Sequence, residues 1–247
     1  MKFLVNNSTD PHYNMAFDEW CLEHLNAGEP VFYLWRNRPS VIIGLNQVAE
    51  QEVNLPFIES HGITLARRVT GGGAVYHDLQ NMNYSIFGRT YGNLSDKADP
   101  DADLNPAIDT APFVSALRSL GVDAEVTGRN DIFLDGKKIS GYARRVWKDR
   151  TLVHGTLMWN VDIETLTRAL AVPGSKLTKK GIASVRSRVA NLKDYLPQYR
   201  SLDELQSAIH RIMAADDGEI VLSEEQLAEI KALSDTKFST REWNYRL

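Results

Sequence analysis

Several features that would narrow the function at once are missing from this chain of 247 residues. Its single cysteine, Cys21, excludes an intrachain disulfide and argues against a thiolate metal site. The six histidines are scattered without ligand spacing, so we predict no histidine metal site. No apolar run approaches membrane-spanning length, and the N-terminus lacks the apolar core of a signal peptide. We therefore expect a cytoplasmic protein.

The chain also has no marked excess of either charge. Its 28 basic and 32 acidic residues give a net charge of −4, which does not favour general binding to nucleic acid or to a membrane surface. A hydrophobic content of 43% and a charged content of 24% are typical of a soluble globular protein. We expect one large domain with a real core, and neither nucleic acid nor a membrane as a partner.

What the chain does have is three consecutive glycines, residues 71–73, directly after Arg67 and Arg68. Apolar residues 63–66 lead in and residues 74–76 lead out, so the glycines are predicted to join two strands. Glycine lets the backbone turn sharply or approach a ligand closely, and guanidinium forks suit a carboxylate or phosphate. Bare N–H groups at such a turn would bind an anion. A tight hairpin with both arginines on the surface explains the pattern equally well.

A second informative block is residues 127–145, in which Asp135 and Gly136 separate two apolar runs. This dipeptide favours a β-hairpin, so Lys138 is predicted to begin the returning strand. A lysine near a hairpin tip is usually solvated, so the position alone assigns it no role. Residues 176–188 carry five cations and no acidic residue. They suit a loop that closes over phosphates, or an exposed basic connector.

No obvious nucleophile or acid–base couple stands out. A helix is predicted to begin at Asn14. Cys21 and Phe17 lie on its apolar face, so we expect Cys21 to be buried. A pair such as His154-Gly155 in a strand is more often structural than catalytic. The residues therefore suit chemistry that depends on positioning and charge neutralisation, such as nucleotidyl or acyl-phosphate transfer.

Five blocks together, residues 67–78, 128–131, 138–141, 154–156 and 180–192, resemble the lipoate–protein ligase A family. The resemblance runs from the N-terminal strand to the tail at residues 242–244. It implies an α/β fold with a mixed sheet flanked by helices, as in biotin ligases and related to class II aminoacyl-tRNA synthetases. It further implies a single catalytic domain over residues 1–247, without the C-terminal accessory domain that many members carry.

The implied reaction has two steps. Lipoate and ATP, with Mg²⁺, give lipoyl-AMP and pyrophosphate, and a lysine of a lipoyl domain then takes the acyl group. The family's usual acceptors are acyltransferase subunits of 2-oxoacid dehydrogenases and the glycine-cleavage H protein. In related systems that lack the accessory domain on the main chain, a separate subunit supplies it.

The resemblance also implies roles for individual residues. Lys138 matches the family's lysine beside the lipoyl carbonyl and phosphate, and Arg68 would line the lipoate cavity. The glycines would let backbone reach lipoyl-AMP, and Asn130 and Asp131 would lie near the nucleotide, with Asp131 helping to place Mg²⁺. Residues 180–188 would shield the mixed anhydride from water. The full predicted binding set is Arg68, Gly71, Gly72, Gly73, Ala74, His77, Asn130, Asp131, Ser140, Gly141, His154, Gly155, Lys180, Ser184 and Arg186.

Other functions stay open at this point. A related octanoyl- or lipoyl-transferase would use a cysteine thioester, although Cys21 is not where those relatives carry their nucleophile. A transferase that needs a preformed activated donor or a partner subunit is a second alternative. A non-catalytic module that binds lipoyl-AMP or a lipoyl domain is a third. A biotin ligase shares the implied fold, but the Arg-Arg-x-x-Gly-Gly-Gly pattern fits lipoate better.

Overall fold

A computed structural model describes residues 1–25, 28–89, 110–127, 130–170, 188–216 and 218–246. Most of the basic segment at residues 176–188 lies outside this part of the chain. The strands are β1 (Lys2–Phe3), β2 (Val31–Trp35), β3 (Ser40–Ile43), β4 (Thr64–Arg67), β5 (Val75–His77), β6 (Asn81–Arg89), β7 (Glu125–Thr127), β8 (Asp131–Leu134), β9 (Lys137–Trp147) and β10 (Arg150–Met158).

The helices lie between and after these strands. They are α1 (Pro11–His24), α2 (Ala49–Glu52), α3 (Leu55–Ser60), α4 (Ala111–Ser119), α5 (Ile163–Ala169), α6 (Leu202–Met213), α7 (Glu224–Leu233) and α8 (Arg241–Tyr245). A 3₁₀ turn (Leu192–Asp194) precedes α6, and a π-helical turn (Ser234–Phe238) follows α7. None of the described helices is long and apolar enough to cross a membrane.

The strands form two sheets. The larger has the order β1-β2-β6-β10-β9-β8-β7, in which β1 and β2 run parallel and the other neighbours antiparallel. The smaller has the order β4-β3-β5, with β3 parallel to β4 and antiparallel to β5. The predicted α/β class with a mixed sheet flanked by helices is confirmed, although the mixed pairing is divided between two sheets.

The strands on either side of the three glycines do not pair with each other. Because β3 lies between β4 and β5, the simple hairpin considered for this stretch is wrong. The chain must instead cross the end of β3, so the segment from Arg68 to Ala74 is a wide connection rather than a tight turn.

The hairpin predicted at Asp135-Gly136 is confirmed. These two residues have φ angles of 49° and 70°, and Leu134 pairs with Lys137 across them. Two successive positive φ values define the turn whose twist matches the flanking strands, and aspartate and glycine tolerate them best. Lys138 therefore stands near the start of β9, as expected.

Helix α1 begins earlier than its apolar spacing indicated. The Asp10 side chain accepts from the N–H groups of His12 and Tyr13, and Pro11 occupies the first turn, so the helix begins at Pro11 instead of Asn14. Cys21 is fully buried in it, as expected. Burial raises the pKa of the Cys21 thiol well above its usual value, which keeps the thiol protonated.

Candidate active site

A row of residues directly opposite one another across the large sheet forms the floor of the candidate site. Asp131 pairs with Gly141, Thr156 pairs with Asn83, and Asn83 pairs with Trp35. The Gly141 N–H donates to the Thr156 hydroxyl at 3.2 Å, which joins the two halves of the row. Side chains of directly paired residues point to the same face of a sheet. The row therefore runs from polar groups on β8 and β9 to an aromatic ring on β2.

The neighbouring row on the same face is more deeply buried. His154 pairs with Ala143 on one side and Ser85 on the other, and Ser85 pairs with Tyr33. The Asp18 carboxylate of α1 covers this row, accepting from the Tyr33 and Ser85 hydroxyls at 2.7 Å each and contacting His154 Nδ1 at 2.7 Å. Helix α1 thus places an anion against the centre of the sheet.

Lys138 reaches the floor because β9 is irregular. A regular strand would point residues 138 and 141 to opposite faces. A bulge shifts the register, so Ile132 pairs with Ser140 but Phe133 pairs with Lys138. The Lys138 ammonium lies 2.7 Å from Asp131 Oδ1, and a Cβ at Gly141 would stand 3.0 Å from that ammonium. The glycine at position 141 therefore leaves the room that the lysine occupies.

Arg68 organises the glycine connection from inside. Its guanidinium donates to the carbonyls of Gly71 at 2.7 Å and Gly73 at 2.8 Å, and to Ile42 O at 3.1 Å. It is buried and makes no ion pair with a described residue. Burial lowers the Arg68 pKa to about 10, which still leaves the group cationic near neutral pH. Arg68 therefore shapes the loop and supplies an uncompensated positive charge.

Arg67 does not serve the site, contrary to the expectation that both arginines offer forks to an anion. Its guanidinium donates to the carbonyls of Gly44, Leu45, Gln47, Trp243 and Asn244. Consecutive residues at a strand end point in opposite directions, so only one of the two can face the cavity. Arg67 instead fastens α8 to the small sheet.

Hydrogen bonds connect Arg68 to Asp18 through the side chains of Thr70 and His154. Arg68 Nε donates to Thr70 Oγ1 at 3.0 Å, and Thr70 Oγ1 lies 2.7 Å from His154 Nε2. His154 Nδ1 then contacts the Asp18 carboxylate. A buried cation and a buried anion are thereby linked without touching. Asp18 was missed from the sequence, where an acid between the apolar residues Phe17 and Trp20 of the predicted helix was the available signal.

The two rows, α1 and the glycine connection enclose a cavity of about 120 Å³. Nine of the sequence-predicted residues line it: Arg68, Gly73, Ala74, His77, Asn130, Lys138, Gly141, His154 and Gly155. Asp131 adjoins it through Lys138, and Ser140 lies beside the Tyr84 hydroxyl. Gly71 and Gly72 lie on the exposed part of the connection. Lys180, Ser184 and Arg186 lie outside the described residues.

The remaining lining residues are mostly apolar or uncharged. The cavity has an apolar part, which the sequence motifs did not predict. It is lined by Met15, Trp35, Ile42 and Val75. No aspartate or glutamate lines it among the described residues, whereas Arg68 and Lys138 both do. Such a site suits an elongated molecule with an apolar body and an anionic head.

Gly155 has a packing role in addition to lining the cavity. A Cβ there would lie 2.5 Å from the Tyr84 hydroxyl oxygen, so any side chain would displace this ring. Tyr84 is fully buried and stacks on Phe113 with ring centroids 3.8 Å apart. Glycine at position 155 is therefore what allows the sheet to carry Tyr84 on its other face.

Solved structures similar to this chain define its class. One comes from an archaeal lipoylation system, a bi-partite lipoate protein ligase and its E2 lipoyl domain from Thermoplasma acidophilum, with a TM-score of 0.84, 34% identity and coverage of 99% of this chain and 95% of that one. A lipoate-protein ligase A bound with ATP gives a TM-score of 0.81 at 32% identity, covering 99% and 98%. A putative lipoate protein ligase from T. acidophilum with bound lipoic acid gives 0.81 at 32%, covering 100% and 98%.

Sequence relatives agree with this class. Lipoate–protein ligase 1 of Staphylococcus aureus is 42% identical over 248 residues, which cover 99% of this chain and 73% of the relative. Lipoate-protein ligase LplJ of Bacillus subtilis is 40% identical over 251 residues, with the same coverage. The family model of the lipoyl protein ligase A/B catalytic domain matches residues 10–214. The chain belongs to this family of lipoyl protein ligase catalytic domains.

Proposed function

We infer that this chain is an ATP-dependent lipoate–protein ligase, which forms lipoyl-AMP and then transfers the lipoyl group to a lysine of a lipoyl domain. Family membership and the relatives' names support this reaction, and related structures hold lipoic acid or ATP. The single observation that carries it is the cavity, whose lining combines the cations Lys138 and Arg68 with the apolar side chains of Met15, Trp35, Ile42 and Val75.

In the first step, an oxygen of the lipoate carboxylate attacks the α-phosphorus of ATP, and the bond from that phosphorus to the bridging oxygen breaks. Pyrophosphate leaves with the electron pair. Two anions must come into contact, so nearby cations lower the barrier. We assign this role to Lys138. Its compact ammonium lies 2.7 Å from Asp131 Oδ1, at the floor of the cavity. Arg68 contributes a second, fixed charge from the loop.

In the second step, the neutral amine of the acceptor lysine attacks the acyl carbonyl of lipoyl-AMP. An amide bond forms, the bond to the phosphate oxygen breaks, AMP leaves and the amine loses a proton. Lys138 would again stabilise negative charge, now on the carbonyl oxygen and the departing phosphate. Cys21 takes no part, because it is buried in α1 and its pKa is raised.

Magnesium fits the site through one carboxylate. Among the described residues no group of three or more histidine, cysteine, aspartate or glutamate side chains could hold a metal ion. Mg²⁺ needs no such group in nucleotide sites, since one or two carboxylates together with substrate phosphates hold it. Asp131 is the residue we propose for this contact, and the ion would neutralise phosphate charge there.

We propose lipoyl domains as the acceptors, of dehydrogenase acyltransferase subunits or of the glycine-cleavage H protein. The similarity to a bi-partite ligase with its E2 lipoyl domain supports this class of partner. Because that ligase is bi-partite, we also propose an assay to which a separate accessory subunit is added. A cytoplasmic location stays a prediction.

The test combines the purified chain with lipoate, Mg-ATP and a lipoyl-domain acceptor, and follows pyrophosphate release and acceptor mass. Pyrophosphate release with a mass gain of one lipoyl group is expected. If neither occurs, preformed lipoyl-AMP is added to the same mixture. Transfer from lipoyl-AMP alone would mean that activation depends on another component, and no transfer at all would contradict the proposed function.

The variant Cys21→Ala separates this reaction from thioester transfer. Cys21 has no exposed surface, and its removal leaves a small cavity that costs about 1 kcal/mol. Lipoylation by Cys21→Ala should match the unmodified chain at a temperature where both are folded. Complete loss of transfer with a folded protein would instead favour a cysteine-dependent transferase.

A further inference from the structure

His77 belongs to the binding set that the family resemblance implies, and we propose that a chain of buried asparagines ending at Asn37 fixes its ring as a neutral hydrogen-bond donor to the substrate. His77 is the last residue of β5 and lines the cavity. The proposed role in substrate binding rests on the ligase function, whereas the donor form of the ring follows from contacts within the chain.

The direction of the asparagine chain is set at Asn14. Its Nδ2 lies 3.1 Å from Ser8 O and 3.0 Å from Arg36 O. Main-chain carbonyl oxygens only accept, so the amide nitrogen of Asn14 must face them. The same nitrogen lies 2.8 Å from the Asn37 amide and shares its two protons among these three neighbours. Because an amide nitrogen does not accept, the Asn37 atom that faces it must be the oxygen, Oδ1. The opposite end, Asn14 Oδ1, accepts from Asn6 Nδ2 at 2.9 Å.

The orientation of Asn37 then determines the state of His77. Because Asn37 Oδ1 accepts from Asn14, its amide nitrogen faces the imidazole, with Nδ2 lying 3.1 Å from His77 Nδ1. An amide nitrogen donates, so Nδ1 must be the acceptor and the ring proton must sit on Nε2. Asn37 and Asn14 are both fully buried, so water does not compete for these bonds.

The Nε2 proton is left for a ligand. His77 is 3% exposed, and its Nε2 has no hydrogen-bond partner among the described residues. Burial, and next the charge of Arg68, lower the pKa of His77 to about 3, so the ring stays neutral and cannot deliver a second proton. A buried donor without an acceptor is costly, which favours an incoming acceptor atom.

A neighbouring group offers a second donor. Asn83 Nδ2 is buried and has no partner within the described part of the chain, while Asn83 Oδ1 accepts from Asn81 at 2.9 Å. Both donors adjoin Trp35, which pairs with Asn83 and packs edge-on against His77 at 6.1 Å between centroids. Two neutral donors near the Arg68 cation fit an oxygen with negative charge, from the acyl carboxylate or from the nucleotide.

Kinetics of two substitutions test the donor role. In His77→Gln the terminal amide keeps an N–H close to the Nε2 position, whereas His77→Phe keeps a ring without a donor. We expect His77→Phe to lose roughly a hundredfold in kcat/KM, and His77→Gln to stay within about tenfold of the unmodified chain. A rise of KM for lipoate would identify the acyl carboxylate as the acceptor, and a rise of KM for ATP the nucleotide. Equal activity of the two variants would overturn the proposal.

The tautomer is tested without any assay of activity, by the ring ¹⁵N chemical shifts of His77 in the ligand-free chain. A proton on Nε2 and none on Nδ1 is expected near neutral pH, with His77→Gln used to assign the signals. In Asn37→Asp the carboxylate accepts a hydrogen bond from Nδ1, so the single proton of the neutral ring should move from Nε2 to Nδ1, and the loss of the Nε2 donor should lower kcat/KM. Combined with His77→Gln, Asn37→Asp should have little further effect. A proton on Nδ1 in the unmodified chain would overturn the proposal even if the ligase reaction is confirmed.

Discussion

At the scale of single residues, the direction in which a side chain points from its strand decides whether a cation faces the cavity. Arg67 and Arg68 are adjacent and identical, yet Arg67 bonds to α8 and the β3–α2 loop while Arg68 enters the cavity. Lys137 and Lys138 differ in the same way. Lys138 contacts Asp131 and lines the cavity, and Lys137 lies across the hairpin from Leu134.

This contrast makes Lys137 a matched control for Lys138. The Lys138 side chain is 38% exposed, so Lys138→Ala should change the free energy of unfolding by no more than about 0.5 kcal/mol. It should lower lipoylation by roughly a hundredfold or more, since the cation beside the reacting oxygens is lost. Lys137→Ala should keep near-normal rates. Turnover numbers and denaturation curves of both variants check this, and a Lys138→Ala chain with near-normal turnover would remove the residue from the mechanism.

His77 should make stability depend on pH. In the unfolded chain its pKa is near 6.5, but in the folded chain it is lowered to about 3. Below pH 6.5 the unfolded chain gains a proton that the folded chain does not bind, so stability is complete above that pH and is lost as pH falls toward 3.

At about pH 5 this loss amounts to about 2 kcal/mol relative to about pH 8. His77→Gln has no such titration and should lose correspondingly less. Urea denaturation at the two pH values measures the difference. Parallel losses in both chains would show that the imidazole is not held neutral by burial.

At the scale of elements, the glycine connection depends on a glycine outside the motif. Gly44 follows β3, and a Cβ there would collide with the carbonyl oxygen of Gly72. Gly72 itself has a φ of 92°, which favours glycine. Gly71 meets neither restriction, since no atom lies within 4 Å of a Cβ built on it. The close approach between β3 and the connection thus explains one motif glycine and one isolated glycine.

Gly44→Ala and Gly71→Ala should therefore behave differently. Gly44→Ala forces backbone against backbone and should destabilise the fold by about 3 kcal/mol or more. Gly71→Ala adds a methyl group in open space and restricts the unfolded chain, so its stability should be unchanged or slightly higher, by about 0.5 kcal/mol. Thermal and urea denaturation compare the two. Equal losses would mean that the connection does not pack on Gly44.

At the scale of the whole molecule, distant parts of the sequence are joined in one body. The Phe3 N–H donates to Gly218 O at 2.7 Å, and Phe3 O accepts from Ile220 at 2.8 Å. Trp20 of α1 donates to Glu229 of α7 at 2.8 Å. Arg67 bonds to α8, as described above. These bonds tie early and late segments to both sheets.

We therefore expect the chain to unfold in one cooperative transition, as the predicted single domain requires. Tryptophan fluorescence, which reports on rings such as Trp20 and Trp35, should change at the same urea concentration as far-UV circular dichroism. The ligand-free chain is the sample for both probes. Two separated transitions would show that the C-terminal helices form an independent unit.

Much of the fold and of the site was predictable from the sequence because the signals are local. Apolar spacing indicated the first helix and the strands on both sides of the glycines, and Asp135-Gly136 encoded its own turn through backbone preference. The glycine motif and the order of the blocks indicated the family, which the family model confirms. Residues that line the cavity by way of these motifs, such as Arg68, Lys138 and His154, were therefore found.

By itself the sequence determined the fold class, the family and the residue types available for the reaction. Tertiary structure alone decided which of them meet. The bulge in β9 turned Lys138 onto the face of Gly141, and β3 entered between β4 and β5. Asp18 and the Asn14–Asn37–His77 chain depend on contacts between segments far apart in sequence. No local pattern encodes such contacts, because they join side chains of α1, of the β2–β3 connection and of strands β5 and β10.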